Sequence, residues 1–138
     1  MAGRPAERGQ MKLLLDTHTL LWWFINDRRL SASARAAILD EQNEIHVSAV
    51  SAWEIATKDR LGKLPEAREA TLRFMELVAA DGFRFMGLTC KHGLRAGGYP
   101  NSHGDPFDRM LAAQAEIEGM QLVTCDAVFR DFPVKVLW

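Results

Sequence analysis

The stretch Lys12-Leu13-Leu14-Leu15-Asp16-Thr17 decides the fold. Three consecutive leucines leave no polar face, so a strand here must be covered on both sides. That is the signature of a central strand in a parallel sheet rather than of an edge strand or a surface hairpin. Ligands of such sheets bind outside the carboxyl ends of the strands, where the connecting loops diverge. Asp16 sits at that edge, and Thr17 opens a helix-like segment behind it.

Outward from this strand, the chain alternates helical and extended patterns. Thr17 to Asn26 carries Leu20, Leu21 and Phe24 at helical spacing, and Asp27-Arg28-Arg29 is a charged turn. Ser31 is suited to cap a helix over residues 32–41. Ile45-His46-Val47 alternates as a second strand. Ser48 or Ser51 then caps a helix running to about Leu61 and closed by Gly62. Pro65 opens a further helix that ends near Asp81-Gly82, and Phe83 to Leu88 is a third strand candidate. Thr89 caps a short helix broken at Gly97-Gly98. Residues 99–104 are loop. Asp105-Pro106-Phe107-Asp108 starts a helix, with an Asp cap, Pro at the first helical position and stop at Gly119. Gln121 to Thr124 is a strand followed by Asp126, and Val134 to Leu137 a last short strand. This order gives an α/β domain with a mainly parallel sheet.

Composition sets the outer bounds. The chain has 138 residues, 48% hydrophobic and 25% charged, with a net charge of −1. This suits one domain with a sizeable core. No apolar run approaches the roughly 18 residues that a membrane span needs. Residues 1–10 lack an apolar h-region and hold Gly3, Pro5 and Gly9 ahead of a second methionine, Met11. They read as a disordered extension, a tag remnant or an upstream start, leaving 11–138 as the domain. Cys90 and Cys125 show no zinc-ligand spacing, which points to a reduced, cytoplasmic protein.

The candidate acids are Asp16, Glu54, Asp105, Asp108 and Asp126. Each also has a structural explanation. Asp16 and Asp126 can serve as turn or cap residues, and Asp105 and Asp108 complement the positive end of their helix. Glu54 stands four residues before Lys58, as in an exposed helical pair, and lies off the Ala49, Ala52, Trp53, Ala56 stripe. As a set they say more. Two strand-end aspartates and one at a helix N-terminus converge if their strands are neighbours. Carboxylates 4 Å apart repel by roughly 4 kcal/mol at an effective dielectric near 20. Such a cluster calls for a cation, and oxygen donors alone select Mg²⁺ or Mn²⁺ over zinc. That chemistry suits phosphate esters. An aspartyl-phosphate phosphatase wants a second acid where His18 stands, and neither a Gly-rich phosphate cradle nor a nucleophile elbow is present.

Four ordered motifs carry a family resemblance. They are Leu13-Leu14-Leu15-Asp16-Thr17-His18, Ser48-Ala49-Val50-Ser51-Ala52-Trp53-Glu54-Ile55, the run from His103 through Asp108-Arg109 to Ala115, and Leu122-Val123-Thr124-Cys125-Asp126. Together they resemble the PIN-domain ribonucleases, and within these the VapC-type toxins of toxin–antitoxin pairs. The resemblance implies a three-layer sandwich, a central parallel sheet flanked by helices. It implies an Mg²⁺- or Mn²⁺-dependent endoribonuclease, with Asp16, Glu54 and Asp108 holding a first metal and Asp126 holding it through water or holding a second. Asp105 would be a nearby acid and Thr124 a supporting hydroxyl. Implied partners are RNA, a cognate VapB-type antitoxin and a second copy of the chain in a homodimer.

The RNA rim is sought among Arg109, His103, Lys91, Arg95 and Lys58. Trp22, Trp23 and Trp53 are candidates for the core or for the antitoxin surface. A non-catalytic RNA-binding or regulatory module of the same fold is the alternative, and it would be betrayed by loss of one of the four acids. A small-molecule phosphatase would need a deep enclosed pocket.

Overall fold

The computed structural model describes residues 10–138. Five parallel strands form one sheet in the order β3-β2-β1-β4-β5. They are β1 (Lys12–Leu15), β2 (Glu44–Ser48), β3 (Arg84–Met86), β4 (Gln121–Val123) and β5 (Val136–Leu137). The helices are α1 (Thr17–Phe24), α2 (Ala32–Leu39), α3 (Ala49–Arg60), α4 (Ala67–Leu72), α5 (Phe74–Ala80), α6 (Cys90–Gly98) and α7 (Pro106–Glu118), with a 3₁₀ turn over Ala127–Asp131. The expectation for residues 1–10 lies, Gln10 apart, outside the described residues.

The leucine run is the keel. β1 pairs with β2 through Leu13↔Ile45 and with β4 through Leu14↔Leu122 and Leu15↔Val123. Side chains alternate along a strand, so the run splits between two cores. Leu13 and Leu15 face a cluster built with Leu20, Leu21, Ile38, Val47, Ile55, Phe74 and Val78. Leu14 faces the other, with Val50, Leu111, Ala112, Leu122, Phe129 and Phe132. All three leucines are fully buried. This is the three-layer sandwich, with α1, α2, α4 and α5 on one face and α6 and α7 on the other.

Chain order also fixes where a site can form. After β1 the chain moves outward through β2 to β3, then returns to lay β4 on the opposite side of β1. The loops leaving β1 and β4 therefore part at their carboxyl ends, the usual place for a ligand in an open sheet.

Caps set the helix starts. Ser31 Oγ accepts from the Ala34 N–H at 3.0 Å, and Ser48 Oγ, rather than Ser51, caps α3 through Val50 N–H at 2.9 Å. Asp105 Oδ1 accepts from the Phe107 and Asp108 N–H groups. α7 ends at Gly119, whose φ of 68° is left-handed.

Several boundaries differ from expectation. The helix opened by Pro65 is two helices, because Arg73 (φ −121°, ψ 21°) breaks it between α4 and α5. α6 runs through Gly97 and Gly98 instead of breaking there. The third strand contracts to Arg84–Met86, the outer edge of the sheet, where only one neighbour supplies hydrogen bonds. None of the helices among the described residues is long and apolar enough to cross a membrane.

Leu14→Ala should cost about 2–5 kcal/mol, the range for truncating a fully buried leucine. Chemical denaturation with an unchanged m-value would register it as a shift in midpoint.

Candidate active site

Asp16 is the innermost acid, 7% exposed at the end of β1. Its backbone N–H continues the ladder to the Val123 carbonyl at 3.1 Å. A carboxylate taken this far from water must find donors. Oδ1 accepts from the Thr17 N–H at 2.7 Å, which caps α1, and Oδ2 accepts from the Thr124 hydroxyl at 2.7 Å. Thr124 Oγ1 itself accepts from the Asp126 N–H at 3.0 Å. One hydroxyl thus ties the acid of β1 to the loop that carries the acid of β4. Asp126 is exposed and caps the 3₁₀ turn through Val128 N–H at 3.1 Å.

Glu54 overturns its surface reading. It is 4% exposed, because the inward stripe of α3 is Val50, Ser51, Glu54 and Ile55, while Ala49, Trp53 and Ala56 face out. A polar contact fixes that rotation: Thr17 Oγ1 and Ser51 Oγ lie 3.0 Å apart, pinning α3 to the turn after Asp16 one helical turn ahead of Glu54. The partner Lys58 is real, with Nζ 2.5 Å from Oε2, but the pair is drawn inward, with Glu54 buried and Lys58 half-buried. Glu54 Oε1 is buried without a hydrogen-bond partner.

α7 brings the third acid. Ser48 donates to the buried Gln114 Oε1 at 2.6 Å, and Gln114 Nε2 donates to the Gly87 carbonyl at 3.2 Å, locking α7 to the ends of β2 and β3. Phe107, one residue before Asp108, packs edge-on against Trp53, one residue before Glu54, with ring centroids 4.7 Å apart. Asp108 Oδ2 meets His103 Nε2 at 2.9 Å.

The electrostatics show which acids feel one another. Burial pushes the Asp16 carboxyl up to about 7, and the charges of Asp108 and Glu54 raise it further against the pull of Thr124 and Thr17. Burial also lifts Asp108 to about 6, opposed by the His103 hydrogen bond and reinforced by Asp105, Glu54 and Asp126. Asp16, Glu54 and Asp108 thus share one field, and Asp126 joins it through Asp108. Among the described residues no three His, Cys, Asp or Glu side chains already stand at metal-ligand spacing. Uncompensated carboxylates repel, and Glu54 is drawn toward Lys58. The set nonetheless fits a hard cation: its donors are all oxygens, and one buried oxygen has no partner.

The profile of the PIN domain matches residues 13–135 of the chain. The chain belongs to the PIN-domain family. It is 34% identical over 119 residues to Ribonuclease VapC22 of Mycobacterium tuberculosis, across 86% of this chain and 89% of that protein. Its PIN fold superposes on VapBC2 from Rickettsia felis, solved bound to a promoter DNA fragment, with a TM-score of 0.66 at 17% identity over 93% of this chain and 98% of that one. VapC20 of Mycobacterium tuberculosis, a sarcin–ricin loop cleaving toxin, gives 0.59 at 15% identity over 86% and 92%.

Several of the basic rim candidates of this PIN domain have partners within the chain. Arg109 is no free phosphate donor: four of its five N–H groups are spent on backbone carbonyls of its own chain. Arg95 is paired with Glu116 at 2.8 and 3.0 Å, and Lys58 with Glu54. Lys91 stays exposed, and His103 faces Asp108. The tryptophans divide: Trp22 is core, Trp23 is half-buried and donates to Asp81, and Trp53 is 53% exposed. Thr17, Ser51 and Gln114 were not singled out for the site from sequence. The i, i+1, i+4, i+5 stripe of α3 held the available signal for Glu54 and Ser51, masked by their polarity.

The raised acids predict a pH signature in metal-free protein. The folded state holds protons on Asp16 and Asp108 more tightly than the unfolded chain does. Unfolding therefore releases protons between about pH 4 and pH 7, and stability from these groups falls as pH rises through that window. In EDTA, Asp16→Asn should flatten this fall and raise the Tm at pH 8. A parallel Tm–pH curve for the variant would contradict the assignment.

Proposed function

We propose that the chain is a metal-dependent endoribonuclease that cleaves RNA phosphodiester bonds and is held in check by a VapB-type antitoxin. The observation that carries this reading is the buried acid set at the carboxyl edge of β1, with an unpartnered oxygen on Glu54 and too few cations to balance it. Membership of the PIN family and the likeness to a VapC ribonuclease support it.

Asp16, Glu54 and Asp108 would hold Mg²⁺ or Mn²⁺, with Asp126 at the exposed lip binding through water or holding a second ion. A divalent ion bound there supplies a Lewis acid that lowers the pKa of water and offsets phosphate charge. The protein's own share is orientation. Thr124 and the Thr17 N–H hold the two oxygens of Asp16, and Ser51 fixes the rotation that aims Glu54 inward. Asp105 is a capping acid that adds negative potential beside Asp108. Solvent reaches the set at Asp126 and Cys125, as a polymeric substrate requires. Two recesses, of about 510 and 650 Å³, lie at the opposite ends of the strands, lined by residues such as Lys12 and Gln121 or Glu44 and Arg84. These are not where a small phosphate ester would meet the acids.

For the antitoxin, the exposed apolar side chains Leu61, Leu72, Met75 and Trp53 on α3 to α5 offer the anchoring surface. The chain works in the cytoplasm as a homodimer. Light scattering at micromolar concentration should give twice the chain mass, and a strictly monomeric species would contradict it.

Purified, antitoxin-free protein should cut total cellular RNA into discrete fragments with Mg²⁺ or Mn²⁺ and leave it intact with EDTA. Asp16→Asn and Asp108→Asn should each drop cleavage to background with the circular dichroism spectrum unchanged. Full activity in either variant would sink the site assignment. A folded, metal-binding protein that cuts no RNA would favour the non-catalytic module.

A further inference from the structure

Between α6 and α7 the chain runs from Tyr99 to Asp105 with no regular ladder, so its carbonyls need partners elsewhere. One side chain serves three of them and a fourth in α6. Arg109 donates from Nε to the Ala96 carbonyl at 2.8 Å, from Nη1 to Asn101 at 3.1 Å and His103 at 2.7 Å, and from Nη2 to Tyr99 at 2.6 Å. Tyr99 is itself fixed: its hydroxyl donates to Glu116 at 2.7 Å and its ring meets Phe132 at 5.0 Å. The His103 ring stands edge-on to Phe132 at 6.1 Å and reaches Asp108 Oδ2 at 2.9 Å. Two adjacent residues of α7 thus grip one loop residue, Arg109 through its carbonyl and Asp108 through its ring.

We propose that Arg109 and His103 are positioning residues for the metal site, and not contacts to RNA phosphate. Arg109 folds the 99–103 segment onto the start of α7, so that His103 holds Oδ2 of Asp108 and fixes the rotamer of a carboxylate that would hold the cation. This rests on the reading of Asp108 as a metal ligand. A guanidinium is needed because its planar fork serves several carbonyls at once, whereas an ammonium is a single point. An imidazole hydrogen-bonded to a ligating carboxylate acts as a partner that fixes the ligand's rotamer, and loss of such partners lowers metal affinity by about 10–100-fold.

The test is Mn²⁺ binding to the full, antitoxin-free chain by calorimetry, without RNA, beside amide hydrogen exchange over 99–103. His103→Ala should weaken Mn²⁺ by about 10–100-fold. His103→Gln, whose amide Nε2 can replace the ring donor, should recover most of the loss. Arg109→Lys should weaken Mn²⁺ comparably and speed exchange over 99–103, while the salt dependence of RNA binding in EDTA stays that of the parent. Parental Mn²⁺ affinity in His103→Ala would overturn the positioning role. Parental exchange in Arg109→Lys, with a shallower salt slope, would make Arg109 a phosphate contact and overturn the clamp. If the parent chain itself bound no Mn²⁺, the metal reading would fall, and with it the role given to His103. The exchange measurement would still decide whether Arg109 orders the loop.

Discussion

The arrangement depends on keeping one carboxylate, Asp16, out of water at the end of the most apolar strand. Burying an isolated charge is prohibitive unless donors replace the lost solvent. Here the replacements are one backbone N–H and one hydroxyl, and they come from two different strand-end loops. The cost is only partly met, as the upward shift of the Asp16 carboxyl to about 7 shows. What remains is a standing demand for positive charge at a fixed point of the sheet. The strand order supplies the point, because β1 and β4 are neighbours whose following loops diverge.

Around that point buried polar contacts and one aromatic pair join the layers beside the cores. The two apolar clusters lie on opposite faces of the sheet, and the one under α7 takes in Val50 of α3. At the edge, Thr17 with Ser51 ties α1 to α3, Ser48 with Gln114 ties β2 to α7, and Trp53 against Phe107 ties α3 to α7. Buried polar contacts that are fully satisfied specify geometry more narrowly than apolar packing does, since each fails at a small displacement. Such contacts suit an acid set that has to be held together against its own repulsion.

This division explains what could be read from sequence. The sandwich was legible because Leu13-Leu14-Leu15 admits no exposed face, and because the caps at Ser31, Ser48 and Asp105 use local chemistry. Asp16 and Asp126 were legible as strand-end acids. Glu54 was not, since helical periodicity scores apolar residues and the inward stripe of α3 is half polar. Only the resemblance of its motif marked it. Nor were the partners of Arg109 legible: a basic residue beside an acid cluster suggests a phosphate contact, and nothing in the sequence shows that its donors reach the carbonyls of an irregular loop. The break at Arg73 left no Pro or Gly in the sequence to announce it.

The Glu54–Lys58 pair shows how fold and chemistry meet. An exposed pair at this spacing is worth only a few tenths of a kcal/mol. With Glu54 almost wholly buried, Lys58 instead offsets a charge that would otherwise stand uncompensated. Yet it satisfies one oxygen only, and Oε1 is left buried and bare. A second carboxylate partner in this position would have destabilised the fold, and a second lysine would have filled the site. One lysine balances the charge of Glu54 and still leaves Oε1 without a partner. The charges of Asp16 and Asp108, which weaken the metal-free fold as they ionise, are what would draw a divalent cation to the edge of the sheet.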